Sequence, residues 1–129
     1  MISESLRVLI ADDEFQLLQV LVRVLEKQGY SVVSATDGKD AIRALRDASA
    51  PIDAIVLDAA IGPDGAGEVL EALAAERPRI GVVVTSGDQL ADPIRFQLQT
   101  VRGIFLFKPF PPSALLRAVE DALAKGNKA

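Results

Sequence analysis

Apolar and polar residues alternate in blocks along this chain, with two different periods. Five short runs are mostly apolar: Leu6–Ala11, Tyr30–Ala35, Ile52–Leu57, Ile80–Val84 and Gly103–Phe107. Each is rich in β-branched or aromatic residues and is followed by turn formers or charges, the pattern of a strand covered on both faces of a parallel sheet. Between them, apolar residues recur at helical spacing over about Glu14–Gln28, Asp37–Asp47, Glu68–Glu76, Ile94–Gln99 and Ser113–Ala124. Gly29 supplies a C-terminal stop for the first helix, Pro78 prevents continuation of the third, and Pro111-Pro112 mark the start of the last. The stretch from Gln89 to Arg102 reads poorly as a regular helix and is expected to include a mobile segment.

Five strand–helix units with short connections predict an α/β fold: one domain, a doubly wound parallel sheet of (βα)5 type with right-handed crossovers. The domain is expected to span residues 1–125, with 126–129 as a flexible tail. In such a sheet ligands bind outside the carboxyl ends of the strands, where strand order reverses. Polar residues stand at the ends of four runs: Asp12-Asp13, Asp58, Thr85-Ser86-Gly87 and Lys108-Pro109-Phe110. They are expected to converge.

Adjacent acids at a strand end raise each other's pKa unless a positive charge lies nearby. A hard divalent cation fits that need, with Asp13 and Asp58 as direct oxygen ligands and Asp12 acting directly or through water. Asp58 then suits a nucleophile that attacks phosphorus to give an aspartyl phosphate. Lys108 can neutralise one phosphoryl oxygen and the Ser86 hydroxyl can donate to another, while Gly87 keeps the approach open. Taken singly, each residue has a plainer role: Asp12 and Asp13 as helix caps, Asp58 and Ser86 as turn residues, Lys108 as a snorkelling lysine, Phe105 as core.

Composition narrows the chemistry. The chain has 129 residues, half of them apolar, enough for a substantial core. It has no cysteine and no histidine, so any metal must be held by oxygen, which points to magnesium or manganese. A net charge of −4 without a basic stripe argues against direct nucleic-acid binding. The first residues lack a basic leader pattern and no apolar run reaches spanning length, so no membrane association and a cytoplasmic location are expected.

The four strand-end motifs together resemble the receiver domain of two-component response regulators, over nearly the whole chain. The resemblance implies a flavodoxin-like strand order of 2-1-3-4-5. It implies that Asp58 accepts phosphate from a histidine kinase or histidine phosphotransfer protein, and that Asp12, Asp13 and the Ala60 carbonyl surround the metal. It also implies a cis Lys108–Pro109 bond, with Ser86 as switch hydroxyl and Phe105 as switch aromatic. Thr85 competes with Ser86, which is favoured because the small Gly87 follows it. Such a protein is a phosphorylation-controlled signalling module with an unknown downstream target, not a conventional enzyme, although it can catalyse its own phosphorylation and dephosphorylation. A homodimer through the face of the fourth helix, fifth strand and fifth helix is also compatible with it.

Some positions depart from the family pattern. Pro63 falls five residues after Asp58 where many relatives have it at four, Ala60 replaces a commonly polar residue, and Phe105 lacks the hydroxyl of the commoner tyrosine. In the first helix, Leu17, Val20, Leu21, Val24 and Leu25 are expected to form the buried stripe. Phe15, Leu18 and Val22 make a second apolar row, expected to dock the helical phosphodonor as receivers generally do there. Three other readings compete: a degenerate receiver that docks proteins without phosphorylation, a haloacid-dehalogenase-like phosphatase, and a flavodoxin-like carrier. Ala60 leaves the phosphatase without its acid/base, and the acidic run after the first strand repels the phosphate a flavodoxin would hold.

Overall fold

The computed structural model describes residues 5–62 and 65–126. Its elements follow in strict alternation: β1 (Arg7–Ala11), α1 (Phe15–Lys27), β2 (Ser31–Ala35), α2 (Gly38–Arg46), β3 (Ala54–Asp58), α3 (Gly65–Glu76), β4 (Gly81–Ser86), α4 (Asp92–Thr100), β5 (Ile104–Phe107) and α5 (Pro112–Gly126). All strand pairings are parallel and the order is β2-β1-β3-β4-β5. The order reverses between β1 and β3, so a crevice opens at their carboxyl ends.

The strands are apolar on both faces because both faces are covered. Leu9, Ile55, Leu57, Val82 and Val84 pack with α2, α3 and α4 on one side. Val8, Ile10, Val56 and Val83 pack with α1 and α5 on the other. The two halves of the core together bury the three central strands, which leaves their polar ends as fixed points.

Local signals explain most boundaries. After α1, Gly29 has φ 107°, Tyr30 N–H donates to the Leu25 carbonyl and Gly29 N–H to that of Glu26, a Schellman stop that needs the left-handed glycine. Asp37 caps α2 by accepting from Asp40 N–H at 2.8 Å. At Gly81 a Cβ would lie 2.5 Å from the Ala122 carbonyl oxygen, so glycine lets α5 close onto the start of β4.

Several boundaries differ from expectation. The fourth helix is regular over Asp92–Thr100 with Pro93 in its first turn. It ends in the same kind of motif as α1, with Arg102 N–H donating to the Gln99 carbonyl and Gly103 N–H to that of Leu98. The left-handed position is taken by Arg102, at φ 57°, and not by a glycine, which hid the stop. α3 begins at Gly65, three residues before the predicted Glu68, and α5 reaches Gly126, the first residue of the predicted tail. Residues 127–129 of that tail, like Pro63 in the loop after Asp58, lie outside the described residues.

The two apolar rows predicted on α1 must be reassigned. Leu18, Leu21 and Leu25, in line at i, i+3, i+7, are the side chains that the sheet buries. Leu18 is therefore core, not a docking residue, and Val22 packs partly against the same cluster. Val20, expected in the stripe, is 54% exposed, and Phe15 is 62% exposed. Leu17 and Val24 of the expected stripe pack partly against the same cluster, so the buried face is turned only slightly from the predicted one. In denaturant unfolding, Leu18→Ala should cost about 2–4 kcal/mol, whereas Val20→Ser should change stability by less than about 0.5 kcal/mol.

Candidate functional site

β1 and β3 deliver two buried carboxylates to the crevice. Asp12 is 2% exposed and Asp58 3%. Asp12 N–H donates to the Ala35 carbonyl, which holds the residue at the strand end. Its Oδ1 accepts from Glu14 N–H at 2.8 Å in a local turn ahead of α1, which has no side-chain cap, and Oδ2 is left for other partners. Asp58 Oδ1 takes a weak hydrogen bond from Ala60 N–H at 3.3 Å.

Lys108 comes from the other side of the sheet. Its backbone N–H donates to the Ser86 carbonyl at 2.8 Å, which ties the end of β5 to that of β4, and its peptide bond to Pro109 is cis. The ammonium lies 3.2 Å from Asp12 Oδ2, 3.3 Å from Glu14 Oε1 and 3.5 Å from Asp58 Oδ1. One cation thus faces three carboxylates.

The charges act on one another. Burial raises the Asp12 pKa and the nearby Asp58 charge raises it further, outweighing the Glu14 N–H and Lys108, which pull it down. Burial pulls the Lys108 pKa down, but the charges of Asp12 and Asp58, with the hydrogen bonds to Asp12 and Glu14, leave it raised. The ammonium is accordingly protonated at neutral pH, and the pocket still carries excess negative charge.

Oxygen atoms of Asp12, Glu14 and Asp58 can lie within 4.8 Å of one another, close enough to share one ion. Hard carboxylate donors with uncompensated charge suit a divalent cation of the magnesium class. Asp13, predicted as a direct ligand, is outside this tight set. It is exposed, and its Oδ2 accepts from Gly62 N–H at 3.4 Å, where Gly62 takes φ 53°. Glu14 is the residue that sequence reading missed. It directly follows the acidic pair and reads as the start of a helix, where acids are common.

At the end of β4, Thr85 and Ser86 separate. Thr85 is 1% exposed and stands opposite Asp58 in the strand register, whereas Ser86 is half-buried and its Oγ accepts from Asp88 N–H at 3.1 Å. A Cβ added to Gly87 would meet nothing within 4 Å, so the space beside Ser86 is open. Phe105 is 37% exposed on the edge strand, its ring set edge-to-face against Phe107 at 5.6 Å. It borders a cleft of about 380 Å³ that includes Leu90, Leu98 and Gly103.

A second, mostly apolar groove of about 420 Å³ lies along α1. Leu17, Val20, Val24, Pro109, Phe110 and Pro112 line it, with Glu14 and Lys108 at its end. A larger hollow of about 880 Å³ beside α2 is shallow surface relief among Lys39, Arg43 and Arg46, far from this chemistry. Among the described residues no helix is long and apolar enough to cross a membrane.

Residues 8–120 match the family model described as the response regulator receiver domain. The transcriptional regulatory protein PrrA of Mycobacterium tuberculosis is 33% identical over 121 residues, a match covering 94% of this chain and 51% of PrrA. The alginate biosynthesis transcriptional regulatory protein AlgB of Pseudomonas aeruginosa is 29% identical over 117 residues, covering 91% of this chain and 26% of AlgB. The chain thus spans from about a quarter to a half of the length of these relatives. Among solved structures, a response regulator receiver protein from Sinorhizobium medicae superposes with a TM-score of 0.79 at 29% identity, covering 96% of this chain and 98% of that one. A CheY-like receiver domain protein from Methanospirillum hungatei shares the fold with a TM-score of 0.84 at 24% identity, covering 95% of this chain and 97% of that one. With the strand order, the strand-end carboxylates and a family match over residues 8–120, the chain belongs to the response regulator receiver domains of two-component signalling.

Proposed function

We propose that Asp58 is the phosphoacceptor of this receiver and that its modification switches the surface formed by α4 and β5. The observation that carries the reading is the pairing of a buried Asp58 with Lys108 at 3.5 Å, at the crevice where strand order reverses. The donor is a phosphohistidine on a histidine kinase or phosphotransfer protein. An Asp58 carboxylate oxygen attacks phosphorus, the P–N bond breaks, and its electron pair returns to the imidazole. Lys108 neutralises a phosphoryl oxygen as a point charge, and the Ser86 hydroxyl donates to another.

A magnesium ion would be held by Asp12 and Asp58, with Asp13, Glu14 and the Ala60 carbonyl as the further oxygen donors within reach of the crevice. When bound, it supplies charge neutralisation between the carboxylates and the incoming phosphoryl group. Nothing at Ala59 or Ala60 can orient water, which supports a long-lived phospho-state. Ser86 moving towards the phosphoryl group would free space that Phe105 fills by turning into its neighbouring cleft, a change driven by burial alone because Phe105 has no hydroxyl. The exposed rings of Phe96, Phe105 and Phe107 make this the surface where a downstream protein or a second copy reads the state.

The groove along α1 corrects the predicted docking row. Glu14 and Lys108 join it to the site, and Val20 rather than Leu18 offers an apolar side chain to a helical donor.

Three outcomes follow from this reading. Acetyl phosphate with magnesium should add one phosphoryl group to the wild type by intact mass, and Asp58→Asn should abolish the addition. An unlabelled wild type that still binds its partner would instead mark a phosphorylation-independent docking module. Val20→Glu should slow transfer from the phosphohistidine partner roughly tenfold, about 1.4 kcal/mol, with acetyl phosphate labelling unchanged; equal slowing of both would rule the groove out.

The third concerns pH. The Asp12 pKa is raised in the folded state above its unfolded value of about 3.9. The native state therefore holds that proton more tightly, and stability from this group falls as pH rises through the folded pKa. Metal-free Asp12→Asn should melt above the wild type at pH 7, with the gap closing as pH drops to about 4. Magnesium should raise the melting temperature of the wild type more than that of the variant.

A further inference from the structure

The acidic run ends in Glu14, whose contact with Lys108 the phosphoacceptor reading does not use. Glu14 sits at the N-cap position of α1, yet its side chain makes no capping hydrogen bond. Instead its carboxylate reaches across the crevice and accepts from Lys108 Nζ at 3.3 Å. The Glu14 side chain is 63% exposed, whereas that of Lys108 is only 16% exposed. The glutamate thus leans over the crevice from the solvent side and meets the ammonium from outside.

This geometry sets up a competition. The Lys108 ammonium has three donors, and in this structure they face Asp12, Glu14 and Asp58. A phosphoryl group on Asp58 needs one of those donors. Asp12 and Asp58 are buried and fixed by strands, so the partner that can yield most cheaply is the solvated, flexible Glu14.

We propose that Glu14 is a positioning residue that tethers Lys108 in the unphosphorylated protein and releases it to the phosphoryl group. The inference rests on the reading of Asp58 as phosphoacceptor. Its consequence is that Glu14 restrains phosphorylation: the tether must break before Lys108 can serve the incoming group.

Charge and contact can be separated by two substitutions. Glu14→Gln removes the charge, whereas Glu14→Asp keeps it on a side chain one methylene shorter, which pulls the carboxylate back from Lys108. At saturating magnesium, both variants should be labelled by acetyl phosphate about one-and-a-half- to fivefold faster than the wild type, since an exposed ion pair of this kind is worth roughly that factor. A rise in Glu14→Gln alone would mean simple repulsion of the anionic donor and would overturn the tether, as would no rise in either.

A second readout needs no phosphorylation. The Lys108 ammonium resonance, assigned by its loss in Lys108→Arg, should shift in metal-free Glu14→Gln and Glu14→Asp alike. An unchanged resonance in both would also overturn the proposal. If the wild type takes no label but the resonance shifts, the phosphoacceptor reading fails while the Glu14–Lys108 contact stands, so the two failures are distinct.

Discussion

Two carboxylates that are almost wholly buried at the ends of adjacent strands repel each other strongly in a low-dielectric setting, and Lys108 is the positive charge that lets them coexist. Everything else in the molecule serves that arrangement. The lysine arrives from β5, two strands away from β3, and its reach depends on the backbone hydrogen bond to Ser86 that closes β5 onto β4. Four strands, β1, β3, β4 and β5, must therefore be in register before the charges can meet. The fold is in this sense a device for bringing one cation to two anions that lie 96 and 50 residues away from it along the chain.

The site divides into rigid and yielding parts. β1, β3 and β4 are buried on both faces, so Asp12, Asp58 and Thr85 sit at the ends of the most deeply buried strands. Ser86, Glu14 and Phe105 lie at its margins, partly in water and lightly held. The first group is suited to chemistry that demands positioning, and displacement costs least in the second. α4, linked to α3 through the Gln97 side chain and the Gly67 carbonyl, bridges the two regimes.

The strands and their polar ends were legible because a two-sided sheet leaves an unmistakable pattern: apolar without alternation, then abruptly charged. Asp58 and Lys108 stand out against such runs. Asp53 shows the limit of the same logic, since it interrupts an apolar run yet serves only to accept from Arg7 N–H at the far end of β1. What failed did so for physical reasons. α1 is apolar over most of its circumference, so periodicity could not say which row the sheet would take, and Leu18 was misplaced. α4 ends on a left-handed arginine, a conformation that no sequence rule assigns to that residue. Glu14 reads as an ordinary helix start because its partner is 94 residues away.

β5 combines a hazard with its own safeguard. As the outermost strand it presents an unpaired row of backbone groups flanked by two exposed phenylalanine rings, a combination that invites strand addition and cross-β growth. The strand is only four residues long, and Pro109, which has no N–H to donate, follows two residues later. Brevity and proline keep the edge below the length that a stacking neighbour needs. The same aromatic surface can therefore remain open to a specific partner without becoming a template for aggregation.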